Sequence, residues 1–349
     1  MSVSLLETLL SYQDVSFMVA FFRCWDPATI FLLGRLNYRL LNIVRCYQAT
    51  VWDIPTFLRG WFGRPLDALS MLDAASAIVC GPSVLQFFDR NVLDATRMDV
   101  CVGFGGLSEV GQFLVSEGYS FRPAPARQRI RDFDLVAMME AARHSESELR
   151  VDGDKSATQE DHGSRAFRFL KFDRRASLRV VIVHLVRCEL HRFVLSMHST
   201  SLANYISSTH AVSLFPRSTF LKRKSFIGCQ ERTPENDDSL MIEAKWLRTY
   251  EGDTGRIALV GSVTKVDADA EIGFRCIGDS RCWVLSTKTR ECCLPLEKPD
   301  ILRGPAFEVM DWASGITRHG SYLRVGEPFV WSSWARSRGQ LSASPSYTT

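Results

Sequence analysis

The sequence predicts an α/β (α+β) protein: a mixed sheet with flanking helices, preceded by a helical segment and followed by a strand-rich extension. Three observations carry this prediction. Residues 73–119 hold in order an apolar run, a glycine turn, a helical spacing, a period-two alternation and a second helical spacing. Leu178–Val186, LRVVIVHLV, is almost continuously apolar and β-branched, as a strand buried on both faces is. Residues 1–70 show helical spacing and little strand character.

In chain order, Ile30, Leu32, Leu33, Leu36, Leu40, Leu41, Ile43 and Val44 form an amphipathic run, and Leu66 to Leu72 is a short helix with Pro65 in its first turn. Ala77 to Cys80 is a strand ending at Gly81. Pro82 then opens a helix whose apolar residues are Val84, Leu85, Phe87 and Phe88. Met98, Val100 and Val102 alternate with Asp99 and Cys101, which sends Arg97, Asp99 and Cys101 to one face of a strand. Leu107, Val110, Leu114 and Val115 return to helical spacing, which Gly118 ends. Ser120 to Arg131, with two prolines and four arginines, reads as a loop, Phe133 to Ala142 as a helix, and His144 to Arg165 as a mobile polar insertion.

Leu178 to Val186 is placed centrally in the sheet. Phe193 to Ile206 and Ala211 to Phe215 are further apolar segments, and Lys222, Arg223 and Lys224 read as a solvated helix face that can also attract phosphate. The acidic stretch from Glu231, with Pro234, marks a boundary. Beyond it Arg256 to Val260, Glu271 to Phe274 and Cys282 to Leu285 look like short strands that extend the sheet or form a cap. The division expected is therefore a helical segment at 1–70, a core at 71–230, a strand-rich extension at 231–340 and a disordered tail at 341–349.

With 349 residues, 46% of them hydrophobic and 23% charged, the composition is that of a globular protein with a sizeable core, and a net charge of +3 identifies no partner. The ten cysteines are spread over the chain without a leading secretory pattern, so reduced thiols in the cytosol or nucleus are expected. Cys276, Cys282, Cys292 and Cys293 lack the paired spacing of a zinc site, and no metal is expected. No apolar run approaches the ~20 residues of a membrane span. GxSxG is missing, and Gly103-Phe104-Gly105-Gly106 is not the GxGxxG of dinucleotide sites.

A strand, a Gly-Ser turn into a helix and a second strand reading apolar-Asp-apolar-Asp form the signature of the polymerase-beta-like nucleotidyltransferase superfamily, which the stretch 73–119 resembles. The stretch is more similar still to a group of uncharacterised proteins of mushroom-forming (basidiomycete) fungi. Their pattern Gly-Ser-x-Ala-Leu-Gln-Phe-Phe-Asp-Arg followed by Ser-Asp-Leu-Asp corresponds to Gly81–Arg90 and Thr96–Asp99. The similarity extends to Leu214–Phe220, LFPRSTF. In many of those proteins a segment placed like residues 1–70 resembles the F-box, which docks onto a ubiquitin-ligase adaptor. The proline usual near the start of that module does not occur in residues 1–25.

The superfamily's chemistry implies Mg²⁺ and a nucleoside triphosphate, held by carboxylates at positions i and i+2 of one strand and a third on a later strand. Asp99 matches one of these, but its face partners are Arg97 and Cys101, and Leu178–Val186 contains no acid. His198 and Arg179 supply no hard anionic oxygen. The Gly-Ser cradle becomes Gly81-Pro82 with Ser83 displaced by one position, and Pro82 has no amide hydrogen to offer a phosphate. The resemblance thus implies a vestigial catalytic residue, Asp99, and a residual nucleotide site of Gly81, Ser83 and Arg97, with nucleotide or nucleic acid left open as its ligand. A binding or interaction protein without cofactor is expected. The alternatives are an active transferase recruiting Asp94, Asp132 or Asp134, and an F-box-like substrate adaptor. Asp99, at a strand end, is expected to be partly solvated, unless Arg97 holds it.

Overall fold

The structure is a computed structural model. It describes residues 15–90, 96–122, 164–172, 177–187, 189–197, 199–226, 228–229, 257–260, 271–286, 306–311 and 322–325. Its architecture is α/β, with helices packed on a mixed sheet of eight strands.

Among the described residues, five helices precede the first strand: α1 (Val15–Arg23), α2 (Pro27–Gly34), α3 (Tyr38–Val51), α4 (Ile54–Arg59) and α5 (Pro65–Ala74). Their starts are written in the sequence. Asp26, Asn37 and Asp53 cap α2, α3 and α4 by accepting from the amides of Thr29, Leu40 and Thr56, and Pro65 opens α5. Strand β1 (Ile78–Cys80), helix α6 (Pro82–Asp89), strand β2 (Arg97–Val102) and helix α7 (Leu107–Ser116) follow as the sequence predicts. Gly118, at φ +84°, ends α7 with paired bonds, its own amide to the Val115 carbonyl and that of Tyr119 to Leu114.

Next come β3 (Ser120–Arg122), β4 (Ser164–Phe172), β5 (Leu178–Val186), α8 (Leu190–Leu195), β6 (Asn204–Ile206) and β7 (His210–Ser213). After them lie β8 (Lys224–Phe226), β9 (Gly228–Cys229), β10 (Ala258–Val260), β11 (Gly273–Cys276), β12 (Trp283–Ser286), β13 (Ala306–Asp311) and β14 (Tyr322–Val325). The main sheet runs β12-β7-β6-β1-β2-β5-β4-β3, with β2 and β5 parallel and the other neighbours antiparallel. β11, β13, β14 and β9 form a second sheet, and β8 pairs with β10.

Several expectations are corrected. Ser120–Arg122, read as loop, pairs with β4 as the edge strand. The strand β4 was not foreseen, because Arg165, Arg168 and Lys171 mask its alternation, and it begins inside the stretch read as a polar insertion. The Lys222–Lys224 triplet is no helix face: Arg223, at φ +53°, turns back to bind the buried Asp89 carboxylate at 2.5 Å, and Lys224 starts β8. Of the 231–340 extension, β12 joins the main sheet beside β7, while β11 belongs to the second sheet. The helix expected at Phe133–Ala142 lies outside the described residues.

One hydrophobic core runs from the helices into the sheet, so α1–α5 and the strands share a single buried cluster. Trp52 Nε1 donates to the Phe88 carbonyl at 3.2 Å, and Tyr119 Oη donates to the Trp61 carbonyl at 2.9 Å. The guanidinium of Arg90, the αL residue closing α6, donates to Tyr47 Oη and to the carbonyls of Phe22 and Trp25. Glu117 accepts from the Gly63 amide and Arg64. Residue 70 falls inside α5, and the core is continuous across it.

Candidate functional site

Gly81 sits between β1 and α6 at φ 76°, ψ −153°, a conformation open in practice only to glycine. The turn aims the start of α6 at the neighbouring strand. β1 and β2 pair antiparallel with Cys80 opposite Asp99, so the Asp99 carboxylate lies against the turn. A Cβ on Gly81 would stand 3.0 Å from Asp99 Oδ2.

Asp99 is 1% exposed rather than partly solvated. Its Oδ1 accepts from Arg97 Nη2 at 2.6 Å and Nε at 3.1 Å, and meets His184 Nε2 at 2.8 Å. Arg97 therefore does hold it, as the period-two reading allows. Its Oδ2 is buried with no hydrogen-bond partner. Burial opposes the charge on Asp99, but the Arg97 charge and the hydrogen bond and charge of His184 outweigh it and hold the carboxyl below its ordinary range. The group is thus an anion whose charge is already matched from within the protein.

His184 is the member of this cluster that sequence reasoning missed. It lies on β5, whose parallel register places Ile182 beside Asp99 and His184 beside Cys101, on the same face of the sheet. Its ring packs on Phe193 of α8 with centroids 5.1 Å apart. The available signal was a histidine set among the apolar residues in the second half of LRVVIVHLV. Its partner could not be read from the sequence, because the β2–β5 register is set by tertiary pairing. Arg179, on the opposite face, stacks over Trp61; His198 lies outside the described residues.

Of the residues expected here, Gly81, Arg97 and Asp99 are brought together. Ser83 is fully buried in the first turn of α6, and its Oγ has no hydrogen-bond partner. Cys101 faces Cys80, Sγ to Sγ 3.2 Å. Asp94, Asp132, Asp134, Cys292 and Cys293 lie outside the described residues. Among the described residues no group of three or more His, Cys, Asp or Glu side chains is arranged to hold a metal ion. A Mg²⁺ ion asks for several hard oxygens, and this face gives it Asp99 beside a guanidinium and an imidazole, so the residues described do not fit the group.

In comparisons with known proteins, no family model, no curated protein and no solved structure matches the chain. No helix among the described residues is long and apolar enough to cross a membrane.

Proposed function

We propose that the chain is a catalytically degenerate nucleotidyltransferase-like protein whose core serves as a binding or interaction module. The observation that carries this reading is the pairing of Asp99 with Arg97 and His184. Two-metal nucleotidyl transfer places added positive charge against the protein, and carboxylates must receive it. Here the carboxylate is committed to one cation and one imidazole, and bringing a divalent ion beside Arg97 costs Coulomb energy that nothing on this face offsets. The test is a transfer assay with radiolabelled nucleoside triphosphates and Mg²⁺, run beside calorimetry of the same mixtures. No EDTA-sensitive transfer is expected. Robust transfer abolished by EDTA and by Asp99→Asn would return the site to the enzymes.

A second reading, an adaptor acting through residues 1–70, is favoured by one apolar corner. Leu32, Leu36 and Tyr38, around the α2–α3 turn, are 58%, 71% and 73% exposed. Copurification of the protein with a ubiquitin-ligase adaptor, lost on Leu36→Asp, is the result this reading requires. With its ten cysteines read as thiols, the protein is proposed to work in the cytosol or nucleus.

A further inference from the structure

The face of the sheet that buries Asp99 changes character toward the β3 edge. Pairing registers align Asp99, Ile182, Arg168 and Arg122 in one row across β2, β5, β4 and β3. The row beside it holds Arg97, Val180, Leu170 and Ser120, and Phe172 pairs with Leu178 farther along. Burial falls steadily along the first row: Asp99 and Ile182 are buried, while Arg168 and Arg122 are exposed. Leu170 and Val180 are half-buried, and Phe172 is 70% exposed.

Two features of this surface are unfavourable for the isolated fold. Arg122 and Arg168 are directly opposite each other in an antiparallel pair, a position in which Cβ atoms stand ~4.5–5.5 Å apart and like charges repel. Neither makes an ion pair or side-chain hydrogen bond among the described residues. The face offers them no acid either, since its one described carboxylate, Asp99, lies two strands, roughly 10 Å, from Arg168 and is already paired. A large aromatic ring, Phe172, is also left in water on the same side.

We propose that this outer half of the sheet binds single-stranded nucleic acid. The guanidinium forks of Arg122 and Arg168 take backbone phosphates bidentately, and the repulsion between them is relieved when an anion sits across both. The apolar strip of Leu170, Val180 and Leu178 ends at Phe172, whose ring gives a base a stacking surface. A duplex hides its base faces, and the carboxylates of an acidic peptide engage only the charge, so the guanidinium pair and the exposed aromatic together favour a single strand, which offers phosphates and open base faces at regular spacing. The assignment concerns a surface separate from the Asp99 carboxylate, and it stands whether or not that site transfers nucleotides.

The experiment uses the full-length protein and fluorescence anisotropy of a labelled oligouridylate of about 20 nucleotides at low salt. Binding that weakens steeply as salt rises is expected. Arg122→Ser with Arg168→Ser should lower affinity at least about tenfold and flatten the slope of log affinity against log salt by about 1.4, two phosphate contacts on a single strand. Phe172→Ala should cost roughly tenfold in affinity while leaving the salt slope unchanged. Arg122→Glu guards against misfolding: it should abolish binding yet hold or raise the melting temperature, because it turns a repulsive cross-strand pair into an attractive one. No binding by the unmodified protein, or equal affinity of the double variant, overturns the proposal. So does equal affinity for duplex DNA or a polyglutamate peptide, which would make the face a general anion surface.

Discussion

At Asp99 one carboxylate is shared by two basic side chains, whereas at Arg275 one guanidinium is shared by two carboxylates. Arg275, on β11, is wholly buried and donates to Glu271 Oε2 at 2.6 Å, to both Asp279 oxygens at 2.8 and 3.0 Å, and to the Leu214 carbonyl at 2.9 Å. Its guanidinium stacks 5.3 Å from the Phe215 ring and 5.6 Å from Phe307. The cluster joins the second sheet to the chain leaving β7. The Asp99 cluster, by contrast, ties only two neighbouring strands.

Each cluster leaves one buried carboxylate oxygen without a partner, Asp99 Oδ2 and Glu271 Oε1, and the two are electrically different. Burial, outweighing the nearby arginines, pushes the Glu271 carboxyl up, so its orphan oxygen belongs to a group inclined to take a proton. Asp99 is held down, and its orphan oxygen stays anionic. Arg275 is thus explained by what it fastens. The anionic oxygen of Asp99, buried beside Gly81, has no hydrogen bond to offset its burial, a cost that stability alone does not call for.

The largest effect expected from disturbing this comparison is that of Arg275→Ala. It leaves two acids and a carbonyl without their donor and opens a slot between Phe215 and Phe307, so a loss on the order of 3–5 kcal/mol is expected in urea unfolding. A loss under about 1 kcal/mol would remove Arg275 as the fastening point. Asp99→Ala should cost about 3 kcal/mol, the low end of that range, because the Arg97 side chain is 17% exposed and can turn toward water. A change within ~0.5 kcal/mol would mean that the pairing is incidental.

Gly81→Ala comes next, with a loss of roughly 1–3 kcal/mol from backbone strain alone. Its Cβ would also press on Asp99 Oδ2, so the cost should be smaller in an Asp99→Ala background. Full additivity in a double-mutant cycle would mean that turn and carboxylate are uncoupled. The smallest effect is with pH. The Asp279 carboxyl is lowered from 3.8 to about 2, because the hydrogen bond and charge of Arg275 overcome its burial, and Asp99 is lowered too. In that window the unfolded chain binds more protons than the folded one, so stability rises with pH. Both contributions are present above the unfolded carboxylate range and are lost as pH falls through the folded values. Asp279→Asn should flatten the acid side of a plot of urea midpoint against pH; an unchanged slope below pH ~4 would contradict the pairing.

By itself the sequence determined what depends on neighbours along the chain. β1, α6, β2, α7 and β5 could be read because side-chain spacing and the punctuation at Gly81, Pro82 and Gly118 are local. The charged alternation of β4 concealed a strand whose pairing with β5 fills one face with Phe167 and Phe169. The same spacing put Arg97 and Asp99 on one face, within reach of each other. Only the tertiary structure decided that Asp99 would be buried, that His184 would be its second partner, and that Arg122 and Arg168 would stand side by side at the sheet edge. The physical reason is that strand order and register bring together residues 85 or 46 positions apart through long-range pairing, and no periodicity within either segment encodes which residue of the other it will meet.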